Sequence, residues 1–308
     1  MHKTFIPEEF REKYSKIMGS ESEKFFEYCT IKIPKSIWVN SLKIRPSFLV
    51  TELRKKDWKL EELFHENAYS LNGVEKPGQA EQYKNGLFNL QEKSSMLPAI
   101  VLDPEKKDLV LDATAAPGNK TLQLSCLMEG YGKVVAVEKN IQRYKSLSFN
   151  LKKFGMRNVI AKRMDLLDAR KNNLFDKVLL DAPCSSEGLV RKDFTALKEW
   201  NQTLVWKKSD LQKNLIRKSL QLLKKGGELV YSTCSLSPEE NEEVINMLVE
   251  EGKTEVLETK IKNFKTRNGL TNYNGKKYDS SLKKCVRIYP QDNDSQAFFI
   301  AKITKTAT

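Results

Sequence analysis

"DLVLDATAAPGNKTLQLS" (108–125) reads as strand, turn and helix in succession. An apolar run that suits a buried strand stops at small residues, and a helical segment follows. The same alternation continues in "KVVAVEK" (133–139), "VIAKRMD" (159–165), "KVLLDAP" (177–183) and "ELVYSTC" (228–234), with helices expected between them near 209–225, ending in Gly226-Gly227, and near 238–251. Strands separated by helices imply an α/β fold with a parallel, doubly wound sheet. The closing "AFFIAKI" (297–303) reads as a last strand, and "TKTAT" carries no signal.

Upstream the pattern changes. "SIWVNSLKI" (36–44) suits a strand and "PSFLVTELRKKDW" (46–58) a short amphipathic helix, so residues 1–90 are expected to form a small α+β module. "QEKSSMLPAIVLDPEKKD" (91–108) is expected as a helix entering a second domain, 91–308. The 53 Lys and Arg exceed the 40 Asp and Glu by 13, which favours a polyanionic partner, though solvated Lys-rich faces raise charge too. Cys29, Cys126, Cys184, Cys234 and Cys285 are odd in number and scattered, so neither a disulfide framework nor a metal site is expected. Without a signal-like or membrane-length apolar run, a cytoplasmic protein is expected.

The turn at 113–118 faces three ligand classes. A Walker loop lacks its upstream glycine, and a dinucleotide fingerprint finds only Gly118. Glu138, at the end of the second strand, is placed to accept hydrogen bonds from a ribose diol, and Asp165, ending the third, to meet an adenine amino group. A carboxylate-lined site without phosphate binding fits S-adenosylmethionine. The competing reading of both acids is a solvated strand end.

Two thiols sit at matching strand ends: Cys184 in "LLDAPCSSEG" (179–188) and Cys234 in "LVYSTCSLSPEEN" (229–241). C5 of cytosine is too weak a nucleophile to take a methyl group unless a thiolate first adds at C6. A base must then remove the C5 proton, and a second thiol suits that step. Asp181, ending the fourth strand, is placed to contact N3 and N4 of the base. Transfer to an exocyclic amine is disfavoured because Cys184, not an aromatic, follows Pro183. The plain alternative is that both cysteines are small core residues.

"LDATAAPGNKT", "LLDAPCSSEG" and "VYSTCSLSPEENE" resemble motifs I, IV and VI of the RNA cytosine-5 methyltransferases of the RsmB/Nop2/Sun family, and the likeness extends over about 30–303. The resemblance implies a Rossmann-like S-adenosylmethionine-dependent methyltransferase fold with a small RRM-like RNA-binding module at the N-terminus. It implies Cys234 as nucleophile, a choice the residues alone leave open, and Cys184 as the aid to product release. It places Asp181 and Lys120 in the catalytic pocket. Ala115, Ala116, Pro117, Gly118, Asn119, Lys120, Glu138, Arg143, Asp165 and Asp181 become the expected cofactor site.

The sequence departs from the family pattern at Thr114, Asn119, Gln291 and Ala297. Asn119 stands where a second glycine is usual, and Asn tolerates positive φ. The chain is similar to the compact archaeal enzymes that modify transfer RNA, so tRNA is the expected substrate, with rRNA and a catalytically silent RNA-binding factor as alternatives. The cytosine must leave its stack to reach a thiol. Arg191 and Lys192 in "VRKDF" (190–194) are the first expected RNA contacts, with Trp200 and Trp206 nearby, and a monomer is the expected state.

Overall fold

The structure, a computed structural model, describes residues 5–306; the outermost ends of the expected domains 1–90 and 91–308 lie outside the described residues. Strands β1 (Lys35–Val39), β2 (Lys59–Glu62), β3 (Ala68–Asn72) and β4 (Phe88–Leu90) form an antiparallel sheet in the order β2-β3-β1-β4. Alternation along β1 sorts its side chains. Ile37 and Val39 pack with Leu49, Val50 and Leu53 of the helix Pro46–Arg54. Trp38 points the other way, onto Met96, Leu122 and Phe154 of the larger part of the molecule.

Several ends fall short of their sequence expectations. β1 stops at Val39 because the buried Asn40 donates from Nδ2 to the carbonyls of Gly86 and Phe154 and accepts Leu42 N, turning the chain. The following helix ends at Arg54, three residues before Asp57 takes φ +62°. The expected helix over 91–108 runs only Lys93–Leu102: Glu92 caps its start through Ser94 N and Ser95 N, and Asp103 at φ +49° ends it.

The large sheet contains β5 (Leu109–Asp112), β6 (Lys133–Glu138), β7 (Val159–Arg163), β8 (Phe175–Asp181) and β9 (Leu223–Thr233), all parallel in the order β9-β8-β5-β6-β7. β10 (Thr254–Leu257), β11 (Arg267–Asn268), β14 (Val286–Ile288) and β15 (Phe298–Lys305) extend it beyond β9, where β15 runs antiparallel; β12 (Asn272–Tyr273) and β13 (Lys276–Lys277) pair separately. The sheet is therefore mixed, with its parallel half where the alternation predicts it. Val178, Leu180, Leu229 and Tyr231 face the helices Gln202–Leu222 and Glu242–Glu250, while Val110, Leu179 and Val230 face Lys93–Leu102 and Asn119–Leu127.

The helix expected over 209–225 starts at Gln202, capped by Asn201 on Leu204 N, and ends at Leu222. Gly226 and Gly227 belong to β9 instead. Its pairing with β8 jumps from Phe175–Leu223 to Lys177–Glu228, so these glycines occupy the irregular stretch. Strand order reverses between β5 and β8, which opens a crevice at the carboxyl ends of the parallel strands.

Candidate active site

The register Asp181–Ser232 sets the ends of β8 and β9 side by side, and the loops that follow bring the Cys184 and Cys234 sulfurs to 2.9 Å. Cys184 is buried, whereas Cys234 is partly exposed. The hydrogen bond with Cys234, reinforced by burial, pushes the Cys184 thiol well above its usual pKa, so Cys184 keeps its proton at neutral pH. Asp181 lies between the cysteines and the first turn. Its carboxylate pairs with Lys120 Nζ at 2.6 Å and accepts Ser232 Oγ at 2.8 Å. Thr114 Oγ1 donates to the Asp181 carbonyl at 2.8 Å, tying that turn to the end of β8.

Two hollows meet at these residues. A cleft of about 450 Å³ is lined by Thr114, Glu138, Arg143, Asp165, Asp181, Cys184 and Cys234 among others. A groove of about 560 Å³ is lined by Lys32, Asn119, Lys120, Lys192, Asp181 and Cys234 among others. Asp181, Ala182 and Cys234 belong to both. An electrophile in the cleft and a base in the groove would therefore meet at Cys234 and Asp181.

The cleft suits S-adenosylmethionine. Its volume lies within the range of small-molecule sites, and two carboxylates on consecutive strand ends face it with apolar walls from Val137, Met164, Leu166 and Pro183. Glu138 is buried, accepts Asn140 N at 2.8 Å and has Arg143 Nε at 3.5 Å. Asp165 accepts Leu167 N and lies 3.5 Å from Lys139.

The first turn contributes differently from its sequence reading. Thr114 reaches the cleft, but Ala115 and Ala116 are buried against Ala136 and Leu147, and Pro117, Asn119 and Lys120 line the groove. Arg143 Nη2 and Asn150 Nδ2 hold the carbonyls of Ala116 and Pro117, each at 2.8 Å. The positive φ of this turn, +106°, falls on Gly118, where a Cβ would meet Leu147 at 3.1 Å. Asn119 opens the helix Asn119–Leu127 and needs no left-handed backbone.

Arg191, expected as an exposed RNA contact, is fully buried. It lies in the groove wall and bonds the carbonyls of Ile31 and Ser295 and the Asp294 carboxylate, so it ties the end of the N-terminal helices to the 294–295 loop. Lys192 beside it is exposed in the groove wall. Trp200 is also core: its Nε1 donates to Glu187 at 2.7 Å, while Trp206 stays exposed. Gln291 is buried with both amide atoms unpartnered, and the Ala297 carbonyl crowds Gly188.

Sequence reasoning missed Glu187 and Glu240, both buried behind the thiols. Glu187 accepts Ser237 N and Leu236 N, and Glu240 accepts Ser185 N. Their signal was weak: "SSEG" and "SPEEN" look like solvated polar loops until the loops are folded together.

A mixed sheet with a strand-end crevice, two facing acids and two adjacent thiols defines an S-adenosylmethionine-dependent methyltransferase of the Rossmann-like class. Residues 99–304 match the 16S rRNA methyltransferase RsmB/F family, and residues 6–93 match the N-terminal domain of 16S rRNA methyltransferase RsmF. The chain belongs to the RsmB/Nop2/Sun family of RNA cytosine-5 methyltransferases. It is 39% identical to the tRNA (cytosine(49)-C(5))-methyltransferase of Pyrococcus abyssi, over 96% of this chain and 94% of that one. It is 38% identical to the ribosomal RNA small subunit methyltransferase F of Vibrio parahaemolyticus, spanning 98% of this chain but only 63% of the relative. A solved methyltransferase homolog protein from Pyrococcus horikoshii superimposes with a TM-score of 0.84 at 32% identity, covering 98% of this chain and 95% of the other.

Proposed function

We propose that the chain methylates C5 of cytosine in tRNA through a covalent adduct between Cys234 and C6. The observation that carries this reading is the pair of thiols at 2.9 Å beside Asp181, at the junction of the two hollows. S-adenosylmethionine supplies an electrophilic methyl group when bound. Cys234, the more exposed thiol, adds to C6 and raises electron density at C5. Asp181, held by Lys120 and Ser232, takes N3 and N4 of the base. After transfer, the Cys184 sulfur, as thiolate, takes the C5 proton, and the electron pair left in the C5–H bond forms the C5–C6 double bond and expels Cys234 from C6 as thiolate. Cys184 is the base of this step, as the sequence offers: the hydrogen bond and charge of Cys234 that raise its thiol in the free protein are gone once Cys234 is bonded to C6.

Glu138 and Asp165 bind the ribose and adenine in this reading, with Arg143 bracing Glu138. The region before about residue 90 serves as the RNA-binding module of a two-domain monomer acting in the cytoplasm, and Lys32 and Lys192 meet phosphates at the groove. Among the described residues no helix is long and apolar enough to cross a membrane. The tRNA relative is matched over nearly its whole length, which favours tRNA and makes cytosine 49 the first position to examine. An rRNA substrate is the second reading, favoured by the match to the 16S rRNA family.

The test offers S-adenosylmethionine with a labelled methyl group and, separately, tRNA and rRNA, followed by digestion to nucleosides. We expect 5-methylcytidine from tRNA. Label confined to rRNA would replace the substrate, and RNA binding without label would favour a silent factor.

A further inference from the structure

The two cysteine loops exchange carboxylates. Glu187 follows β8, yet it accepts Ser235 Oγ at 2.8 Å, Leu236 N at 2.9 Å, Ser237 N at 3.0 Å and Ser237 Oγ at 2.6 Å from the loop after β9. Glu240 follows β9, yet it accepts Ser185 N at 3.0 Å from the loop after β8. Gly188 N closes the clasp on the Cys234 carbonyl at 2.7 Å.

A third element locks it. From the helix Glu8–Met18, Tyr14 OH donates to Glu187, and Lys13 Nζ bonds Ser237 Oγ at 2.8 Å and Glu239 at 2.9 Å. Phe10, Tyr14, Phe25 and Trp200 pack around the contact. An ionised carboxylate in such a place is costly unless donors fill its lone pairs. Here the four donors of the 235–237 loop are joined by Tyr14 and Trp200. Burial opposes ionisation of Glu187, but the Lys13 charge and these hydrogen bonds outweigh it and keep the carboxyl below its ordinary pKa.

We propose that Glu187 is the positioning residue for the two thiols: locked by Tyr14, with Lys13 holding Ser237 and Glu239 beside it, it keeps the loops of Cys184 and Cys234 at the separation that adduct release requires. This rests on the reading of Cys184 as the group that assists release. It also gives the N-terminal helix a task in the chemistry besides any contact with RNA. Glu187 touches no reacting atom, so its loss should act on the step that depends on thiol separation rather than on cofactor binding.

The test compares wild type, Tyr14→Phe and Glu187→Gln in two assays. One is the rate of Cys184–Cys234 cross-linking by diamide, read by peptide mapping; its N=N bond takes up the two electrons and two protons as the S–S bond forms. The other is single-turnover methyl transfer to RNA against steady-state turnover, with covalent protein–RNA adduct quantified on denaturing gels. Displaced thiols should cross-link roughly tenfold more slowly in Glu187→Gln and about threefold more slowly in Tyr14→Phe, with steady-state turnover falling more than single-turnover transfer and adduct accumulating.

Unchanged cross-linking would overturn the proposal, as would parallel losses in both kinetic phases without adduct. Should Glu187→Gln fail to fold, Tyr14→Phe decides by the same readouts. Slowed cross-linking in a protein whose wild type methylates no RNA would remove the functional reading and keep the positioning. Methylation by wild type with unaltered cross-linking in the variants would do the reverse.

Discussion

At Gly188 there is no room for a side chain. A Cβ there would fall 2.4 Å from the Ala297 carbonyl oxygen and 2.7 Å from that of Cys234. Gly188→Ala must push the nucleophile's backbone aside, and a displacement near 1 Å is expected to lower kcat by roughly a hundredfold with little change in cofactor affinity. Steady-state kinetics alongside equilibrium cofactor binding would check this. Glu240 makes a pH prediction. Burial, then the charge of Glu187, pushes its carboxyl up to about 7 from an ordinary 4.5. The folded state holds that proton more tightly than the unfolded one, so the stability it contributes is full below pH 4.5 and is lost as pH rises through about 7. Relative to Glu240→Gln, the Tm of wild type should therefore fall across that window; parallel Tm curves would contradict the assignment. Neither acid was legible beforehand, because burial here comes from two loops about fifty residues apart in sequence and not from local composition.

The strand ends and small-residue turns were the legible elements. Runs such as "KVLLDAP" declare themselves because both faces of a central parallel strand are apolar, and Cys184, Cys234, Asp181 and Glu138 follow from counting to the ends of those runs. β2, by contrast, buries only Leu60, so it offers no pattern to read. Basic residues were legible as charge but not as exposure. Arg191 and Lys192 are neighbours with opposite fates, and their variants should separate. Arg191→Ala strands the buried part of its network and is expected to cost about 3 kcal/mol in denaturant unfolding. Lys192→Ala should leave stability alone, weaken RNA binding and reduce the slope of log affinity against log salt by about 1. Equal unfolding midpoints for the two variants would refute this division.

Across the whole molecule, the arrangement converges on one junction. The sheet's strand reversal supplies the cleft and the β8–β9 register sets the thiols side by side. A net charge of +13 suits an RNA partner, with Lys32 and Lys192 on the groove wall leading to Cys234. The N-terminal residues join at two places: Trp38 packs against the large part beneath the small sheet, and Lys13 and Tyr14 reach the loops behind the thiols. That long-range coupling was invisible in the sequence, which presents the N-terminal third as an appended module. In the proposed reaction Cys234 forms the adduct and Cys184 releases it. The most direct measurement is covalent protein–RNA adduct on denaturing gels, with S-adenosylmethionine and tRNA, for Cys184→Ala, Cys234→Ala and the double variant. Persistent adduct is expected in Cys184→Ala alone, and none in the other two. Adduct formed by Cys234→Ala, or its absence from a folded Cys184→Ala that still binds RNA, would contradict it.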